Sequence, residues 1–229
     1  MNRPVTVLGR CLSLAALGLG ALVPGLNAKS ASLSPAARQE QAWLAQPELD
    51  RVTEGMELDV QFLATAVAYE SNRRRVEAGK RRLSHEPRAA EAAERHAAML
   101  ANLGHISHSS PLRGEETAAA RLERAGINPV RVAENVATST VFVIPPSQSF
   151  VIRQVEGTRL FVDGETGRPL VRRTYRELAA AIVDQWMTSP RHRDNLLSSQ
   201  VRALGCGVRF ARLVTGMEVV HAVQVLIDP

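Results

Sequence analysis

Two apolar stretches near the end of the chain constrain its fold more than any other feature. "RALGCGVRF" and "MEVVHAVQVLI" are rich in apolar and β-branched residues and meet near Thr215 and Gly216, a pattern that predicts two strands joined by a turn. A two-stranded hairpin on its own is only marginally stable in water. These strands therefore need other elements to cover them, and the preceding sequence supplies helical patterns.

Helical patterns dominate the first half of the chain. Apolar residues recur at helical spacing through residues 33–80, with a break expected at Pro47. "EPRAAEAAERHAAMLANLG" predicts a second helix, because Pro87 suits a first helical turn and Gly104 suits a C-terminal stop. "EETAAARLERAG" predicts a short helix that ends at Gly126.

The second half contains the helix with the clearest limits, "TYRELAAAIVDQWMTSP". Thr174 and Glu177 predict a capping box, and Pro190 requires the helix to end by Ser189. The preceding stretch "SFVIRQVEGTRLFVDGETGRPLVRR" is β-branched and glycine-punctuated, which predicts a β-hairpin, whereas "INPVRVAENVATS" predicts an irregular segment. This order indicates an α+β fold, with helices packed on an antiparallel sheet.

The first residues have the three-part layout of a secretory signal peptide. Arg3 and Arg10 flank the start of the segment, the apolar run "CLSLAALGLGALVPGL" follows, and "NAKSA" offers small residues for cleavage. The run is short for a membrane span of ~20 residues, and an uncleaved anchor is the alternative. We therefore expect a signal peptide over residues 1–30, export to the periplasm or the extracellular space, and no stable transmembrane span after cleavage.

Cysteine usage is simple once the signal is removed. Cys11 lies inside the predicted signal, so Cys206 remains alone and the exported chain has no internal disulfide. Cys206 stands in an apolar run, which predicts a small buried hydrophobic residue rather than a reactive thiol.

The charge pattern excludes one class of partner. The net charge of +5 falls to about +3 after cleavage, because two of the 28 basic residues lie in residues 1–28. Basic residues concentrate in Arg73–Arg75 and Lys80–Arg82. This patch indicates either a solvated helix end or a surface for an anionic partner. An exported chain without an aromatic-basic platform does not indicate a nucleic-acid partner.

Three polar residues interrupt apolar or turn-forming sequence, namely His108, Glu134 and His192. Two imidazoles and a carboxylate are ligands that zinc or another divalent ion accepts, and a carboxylate can instead orient an imidazole. The alternative is that these groups satisfy buried backbone atoms at loop and helix ends. His96, on the apolar face of its helix, fits a core histidine better than a ligand.

No catalytic motif in the sequence identifies a reaction. The chain lacks G-x-S-x-G, a phosphate-binding loop and H-E-x-x-H, and no organic cofactor is expected. Chemistry alone leaves the function open.

Four blocks, in order, give the chain a recognisable family pattern: "NRRRVEAGKRRLSHEPRAAEAAERHAAML", "HISHSSPLRG", "AENVA" and "WMTSPRHRDNLLSSQVRALGCGV". Together they resemble the bacterial form of the CAP superfamily, also called the SCP domain. Gln224 also stands where the last strand of that family commonly carries glutamine. The resemblance covers roughly residues 60–227.

The resemblance implies an α-β-α sandwich with a central antiparallel sheet and a cleft built from histidines and acids. His108 matches the first family histidine, Glu134 the acid of the Glu-Asn turn, and His192 the second histidine. The paired histidines imply a candidate site for zinc or another divalent metal, and they should then lie within ~5 Å of each other, a separation that two zinc–nitrogen bonds can bridge. Arg193, Asp194 and Asn195 are expected to cap and brace the helix end.

The chain departs from the family pattern at several positions. Ser189 stands where eukaryotic members carry a second acid, and Asp184 could replace it only by pointing into the cleft. Glu177 is already assigned to its cap. Ala133 replaces a common glycine, and the β insertion at about residues 140–173 is longer than in the compact form.

These features give three segments and two functional hypotheses. We expect a signal peptide, a helical extension over residues 31–59 and a CAP-like domain over residues 60–229. The first hypothesis is an exported binding module that holds a lipid, cell-wall or protein ligand, with a metal as an optional element. The alternative is a metal-dependent hydrolase in which Glu134 is the candidate catalytic base.

Overall fold

In the computed structural model, which describes residues 34–145, 149–155 and 158–229, one main sheet lies between two layers of helices. The helices are α1 (Pro35–Leu44), α2 (Val60–Glu77), α3 (Pro87–Leu103), α4 (Ala118–Arg124), α5 (Tyr175–Thr188) and α6 (Pro190–Leu197). The strands are β1 (Ser84–His85), β2 (Arg131–Thr140), β3 (Phe150–Val155), β4 (Thr158–Asp163), β5 (Ala203–Arg212) and β6 (Glu218–Asp228).

The main sheet has the strand order β1-β5-β6-β2, which leaves β2 at one edge. β6 pairs antiparallel with both β5 and β2 along ten-residue registers. The expected antiparallel core of the sheet is thus confirmed, and the two-residue β1, which the sequence did not reveal, adds a parallel pair to β5. The sheet is consequently mixed.

The two faces of the sheet carry different helices, as the α-β-α sandwich requires. α3 packs on β5 and β6 from one side, with α4 beside it, while α2 and α5 cover β5 and β2 from the other. α3 contacts the backbone of β5 directly at Gly205 and Gly207. Because glycine has no side chain to separate the two backbones, this helix lies unusually close to the sheet.

Local capping signals located the helices well. α3 begins at Pro87 and is followed by Gly104 in the left-handed conformation, with a φ of 73°. The capping box of Thr174 and Glu177 is present at the start of α5, and the predicted stripe of this helix is buried, from Tyr175 to Trp186. These predictions are confirmed.

One sequence prediction is wrong, and another is only partly confirmed. "INPVRVAENVATS" contains nine of the ten residues of strand β2 rather than an irregular segment, because β6 supplies a hydrogen-bonding partner along the whole strand. The helix expected over 33–80 has its predicted break at Pro47, but the interruption is longer than expected. Two short 3-10 helices, Pro47–Asp50 and Gly55–Glu57, separate α1 from α2.

The insertion and the N-terminal extension both contact the domain, the insertion through Arg159, which donates to the carbonyl oxygen of Val214. β3 and β4 form the predicted antiparallel hairpin. α1 contacts α2 through Trp43, whose ring lies 5.3 Å from that of Phe62 and stacks on Tyr69 at 4.5 Å. The predicted signal peptide lies outside the described residues. Within the described ranges, none of the helices has the length and apolar character needed to cross a membrane.

Candidate functional site

The structure brings His108, Glu134 and His192 together at the free edge of β2. Successive strand residues point to opposite faces, so Glu134 faces the α3–α4 layer and Asn135 faces α6. His108 reaches this edge from the loop after α3, and His192 reaches it from α6. We call the surface formed by these three residues the histidine cleft.

Glu134 is the buried anchor of the histidine cleft, with only 8% of its surface exposed. Its Oε1 atom lies 3.0 Å from Nδ1 of His108. Its Oε2 atom accepts a hydrogen bond of 2.5 Å from the guanidinium of Arg121, which is fully buried on α4. Both carboxylate oxygens are therefore engaged, and the negative charge has a cation beside it.

Arg121 also fixes the loop that carries His108. Its guanidinium donates to the carbonyl oxygen of Glu115 at 2.9 Å and to that of His108 at 3.3 Å. A buried charge is tolerated when it is paired and hydrogen-bonded. Arg121 thus ties α4, the His108 loop and β2 into one unit, a role that no sequence signal indicated.

His96 lies behind this pair, as the sequence predicted for a core histidine. It is 1% exposed, and its Nε2 atom lies 2.9 Å from the carbonyl oxygen of Ser107 and 3.8 Å from Oε1 of Glu134. Burial lowers the pKa of His96 below its ordinary value of 6.5, opposed by the Glu134 carboxylate and assisted by Arg121. The neutral ring is therefore favoured in the folded protein.

We expect the protein to lose stability as the pH falls below 6.5, partly through His96. The unfolded histidine binds a proton near that value while the folded one resists it, so the unfolded state takes up more protons. Urea denaturation between about pH 7.5 and 5.5, above the range of ordinary carboxyl groups, measures this slope. His96→Gln, which retains a donor for Ser107, should give a smaller slope, and an unchanged slope would contradict the assignment.

A second, neutral network fixes α6 to the sheet. The side-chain amide of Asn135 donates to the carbonyl oxygen of His192 at 3.1 Å and to Gln224 at 3.0 Å. Gln224 in turn donates to Ser71 on α2 at 2.8 Å, and Asn195 donates to the side chain of Asn135 at 3.0 Å. Asn135, Gln224 and Ser71 are fully buried, so this chain of amides holds the segment of α6 that carries His192.

The polar segment after Pro190 differs from its expected role. Pro190 begins α6 rather than only ending α5, and Ser189 makes no side-chain capping bond. Asn195 braces its helix as expected, by donating to the side chain of Asn135 and to the carbonyl oxygen of Glu134 on β2. Arg193 and Asp194 are exposed, so capping by their side chains is not observed.

The two histidine rings lie beside each other in a tilted arrangement. Their centroids lie 6.2 Å apart, and their planes are inclined by 58°. Among the described residues, no group of three or more His, Cys, Asp and Glu side chains could hold a metal ion. The pair thus does not fit a closed structural centre. Two imidazoles alone would give an open site, and the ring of His108 within it is half-exposed.

Neither Asp184 nor Glu177 supplies the second acid of the family pattern at the histidines. Asp184 forms an ion pair of 2.7 Å with Arg74 and lines an open groove beside Thr138–Thr140. Thr138 is four residues from Glu134 along β2, a distance of ~13 Å in an extended strand. Asp184 therefore lies away from the histidine pair, and Glu177 is engaged in its cap.

The remaining candidates have structural surroundings. Cys206 is buried as predicted, and burial raises the pKa of its thiol to about 12. Within the basic patch, Arg75 is fully buried and donates to the carbonyl oxygens of Leu196 and Ser198. The prediction of a solvated helix end is thus wrong for Arg75, which instead holds the end of α6.

Comparison with known proteins gives a consistent family. The family model for CAP, the cysteine-rich secretory protein family, matches residues 69–223. This match covers about two thirds of the chain. A comparison with curated proteins gives no significant match.

Solved bacterial structures also match this chain. An extracellular protein containing an SCP domain from Bacillus anthracis has a TM-score of 0.51 and 19% identity, over 76% of this chain and 43% of that chain. An outer surface protein from Borrelia burgdorferi has a TM-score of 0.49 and 13% identity, over 76% and 98%. A cysteine-rich secretory protein from Staphylococcus aureus has a TM-score of 0.43 and 14% identity, over 76% and 40%. This chain therefore spans less than half of the Bacillus and Staphylococcus chains.

Proposed function

This chain belongs to the CAP family of cysteine-rich secretory proteins, and from that premise we propose that it is an exported binding module. The histidine cleft is its recognition surface, and the ligand is a lipid, a cell-wall fragment or a protein. The periplasm or the extracellular space is the proposed location, in keeping with the signal-like N-terminal sequence.

The double engagement of Glu134 is the observation that carries the proposal. A general base must have a carboxylate oxygen within hydrogen-bonding reach of the water or substrate. Here Arg121 holds one oxygen and His108 the other, inside a nearly closed environment. Such a carboxylate is suited to orienting His108 rather than to removing a proton from a substrate. This arrangement favours recognition over the alternative of metal-dependent hydrolysis.

The two imidazoles provide the surface that a ligand would contact. The side chain of His108 is 50% exposed, and the ring of His192 makes no hydrogen bond among the residues that the structure describes. Burial lowers the pKa of His192, and the neighbouring His108 and Arg191 lower it further. The His192 ring is accordingly neutral near pH 7, able to accept a hydrogen bond from a ligand or to bind a divalent metal as an optional element.

Ligand binding by a double variant tests the proposal. His108→Ala/His192→Ala should unfold at nearly the wild-type temperature, because neither ring has a partner in the buried core beyond the His108–Glu134 contact. Co-sedimentation with cell-wall fragments and with lipid vesicles, and pull-down of exported proteins, should show binding by the wild type and loss in the double variant. Equal binding by both proteins would contradict the proposal.

Zinc titration calorimetry near pH 7.5, where imidazoles are mostly neutral, separates the two functional hypotheses. We expect His192→Ala to weaken any zinc binding while His105→Ala, which changes an exposed histidine of the loop that carries His108, leaves it intact. Zinc-dependent hydrolysis that is lost with His192 would favour the hydrolase. A large loss of folding in His192→Ala would instead assign that residue a structural role.

A further inference from the structure

A cavity lies at the other end of the sheet, between the β3–β4 hairpin and the turn that joins β5 to β6. Its volume is about 600 Å³, within the usual range of small-molecule sites. Glu218, in its wall, is six residues from Gln224 along β6, or ~20 Å in an extended strand. The cavity, which we call the hairpin pocket, is therefore separate from the histidine cleft.

Three arginines and one acid set the charge of the hairpin pocket. Arg159, Arg172 and Arg212 line it together with Glu218. Glu218 accepts hydrogen bonds from Arg172 at 2.5 Å and from Arg212 at 2.8 Å. One carboxylate cannot balance three guanidinium groups, so the lining carries two net positive charges.

The arginines retain donors for a ligand. Arg159 donates to the carbonyl oxygen of Val214 at 3.1 Å, and it forms no ion pair with the residues that the structure describes. Arg212 uses one nitrogen for Glu218, and its side chain is 54% exposed. Since a guanidinium has five N–H donors in a fixed planar arrangement, Arg159 and Arg212 can both bind an anionic group from the pocket mouth.

An aromatic wall accompanies these cations. Phe142 and Phe161 line the same pocket, with their ring centroids 5.6 Å apart. The guanidinium of Arg172 lies over the Phe142 ring, 5.0 Å from its centroid. Apolar rings lie here beside guanidinium groups that still have N–H donors to offer. This arrangement is complementary to a molecule that has an anionic end and an apolar body.

We propose that the hairpin pocket binds an amphiphilic anion, a phosphate or carboxylate attached to an apolar group. Arg159 and Arg212 hold the anionic end, and Phe142 and Phe161 contact the apolar part. The hairpin that closes this pocket belongs to the insertion at about residues 140–173, so the site is a property of this chain's longer insertion.

Calorimetry with the full chain tests this site, using 1-naphthyl phosphate as the probe. Inorganic phosphate and 1-naphthol supply the anionic and apolar halves separately, and each should bind about tenfold more weakly or worse, because each lacks one set of contacts. Arg159→Gln should weaken binding of 1-naphthyl phosphate by about tenfold, as expected for the loss of a charge-assisted hydrogen bond.

Arg153→Gln is the matched control, because it removes the same charge from the same hairpin outside the pocket lining. It should leave the affinity unchanged. Phosphatidylcholine vesicles with and without phosphatidic acid distinguish a membrane lipid from a free ligand. Binding to the anionic vesicles alone, lost in Arg159→Gln, supports the same site with a lipid source. The proposal would be overturned if neither 1-naphthyl phosphate nor the anionic vesicles bound. Equal effects of Arg159→Gln and Arg153→Gln on the affinity would also overturn it.

Discussion

Arg121→Met is expected to lower the free energy of unfolding by about 3–5 kcal/mol, the usual cost of removing one partner of a buried ion pair. The substitution leaves the carboxylate of Glu134 buried without its cation, at a position that is only 8% exposed. It also removes the donors to the carbonyl oxygens of Glu115 and His108. The loop that carries His108 should therefore loosen at the same time.

Urea denaturation followed by the fluorescence of the fully buried Trp186 measures this loss. Arg124→Met is the control on the same helix, since its side chain is 61% exposed and its ion pair with Glu115 should contribute less than about 1 kcal/mol. Adding Glu134→Gln to Arg121→Met should recover much of the stability, because the unpaired charge is then absent. A single variant Arg121→Met as stable as Arg124→Met would show that Glu134 does not depend on this pair.

Local chemistry explains why some elements could be predicted from the sequence. The start of α5 follows from a side chain and a carboxylate three residues apart, Thr174 and Glu177, and the limits of α3 follow from Pro87 and Gly104. Each signal acts through the backbone groups of its own segment. Such signals depend on only a few neighbouring residues, so the helix ends can be predicted without the rest of the chain.

β2 could not be predicted in this way, because its stability comes from a distant partner. Glu134 pairs with Val225, and Asn135 pairs with Gln224, almost ninety residues away. The polar residues of β2 break the alternation that identifies a half-buried strand. They are tolerated since each finds a hydrogen-bonding partner, Glu134 on α4 and Asn135 on α6 and on the neighbouring strand β6.

The site, too, has residues that the sequence indicated and one residue that it did not. The resemblance to a known family indicated His108, Glu134 and His192, and the structure places them together. Arg121 was missed because it follows a run of alanines on a short helix, where an arginine usually faces solvent. The buried carboxylate of Glu134 requires a cation, but an arginine-rich chain does not reveal which one.

The structure explains why glycine occupies both glycine positions of "GCGV", which the sequence alone does not. In the sequence, Gly205 and Gly207 belong to the motif that carries the family resemblance, with no physical reason attached. In the fold they lie on one face of β5, one turn of α3 apart, where the strand meets the backbone at Ala89–Ala90 and at Ala93–Glu94. A side chain at either position would occupy space that the helix backbone already fills.

Gly207→Ala is therefore expected to cost about 3 kcal/mol or more, at the upper end of the range for overpacked cores. The added Cβ would lie 2.2 Å from the backbone nitrogen of Glu94 and 2.4 Å from the carbonyl carbon of Ala93. A flexible side chain could move aside, but backbone cannot, so α3 itself must shift away from β5. Because α3 also carries His96, the shift should disturb its contacts with Ser107 and Glu134.

The loss expected for Gly207→Ala is entirely steric, which makes it separable from the usual effects of replacing glycine. Gly207 has no positive φ, so alanine would be acceptable to its backbone and would by itself stabilise the folded state slightly. Gly79→Ala is the opposite case, with a φ of 70° and no atom within 4 Å of the added Cβ, and should cost about 1 kcal/mol from backbone strain alone. Chemical denaturation of both variants compares the two effects. If Gly207→Ala proved no more destabilising than Gly79→Ala, the close contact of α3 with β5 would not exclude a side chain at position 207.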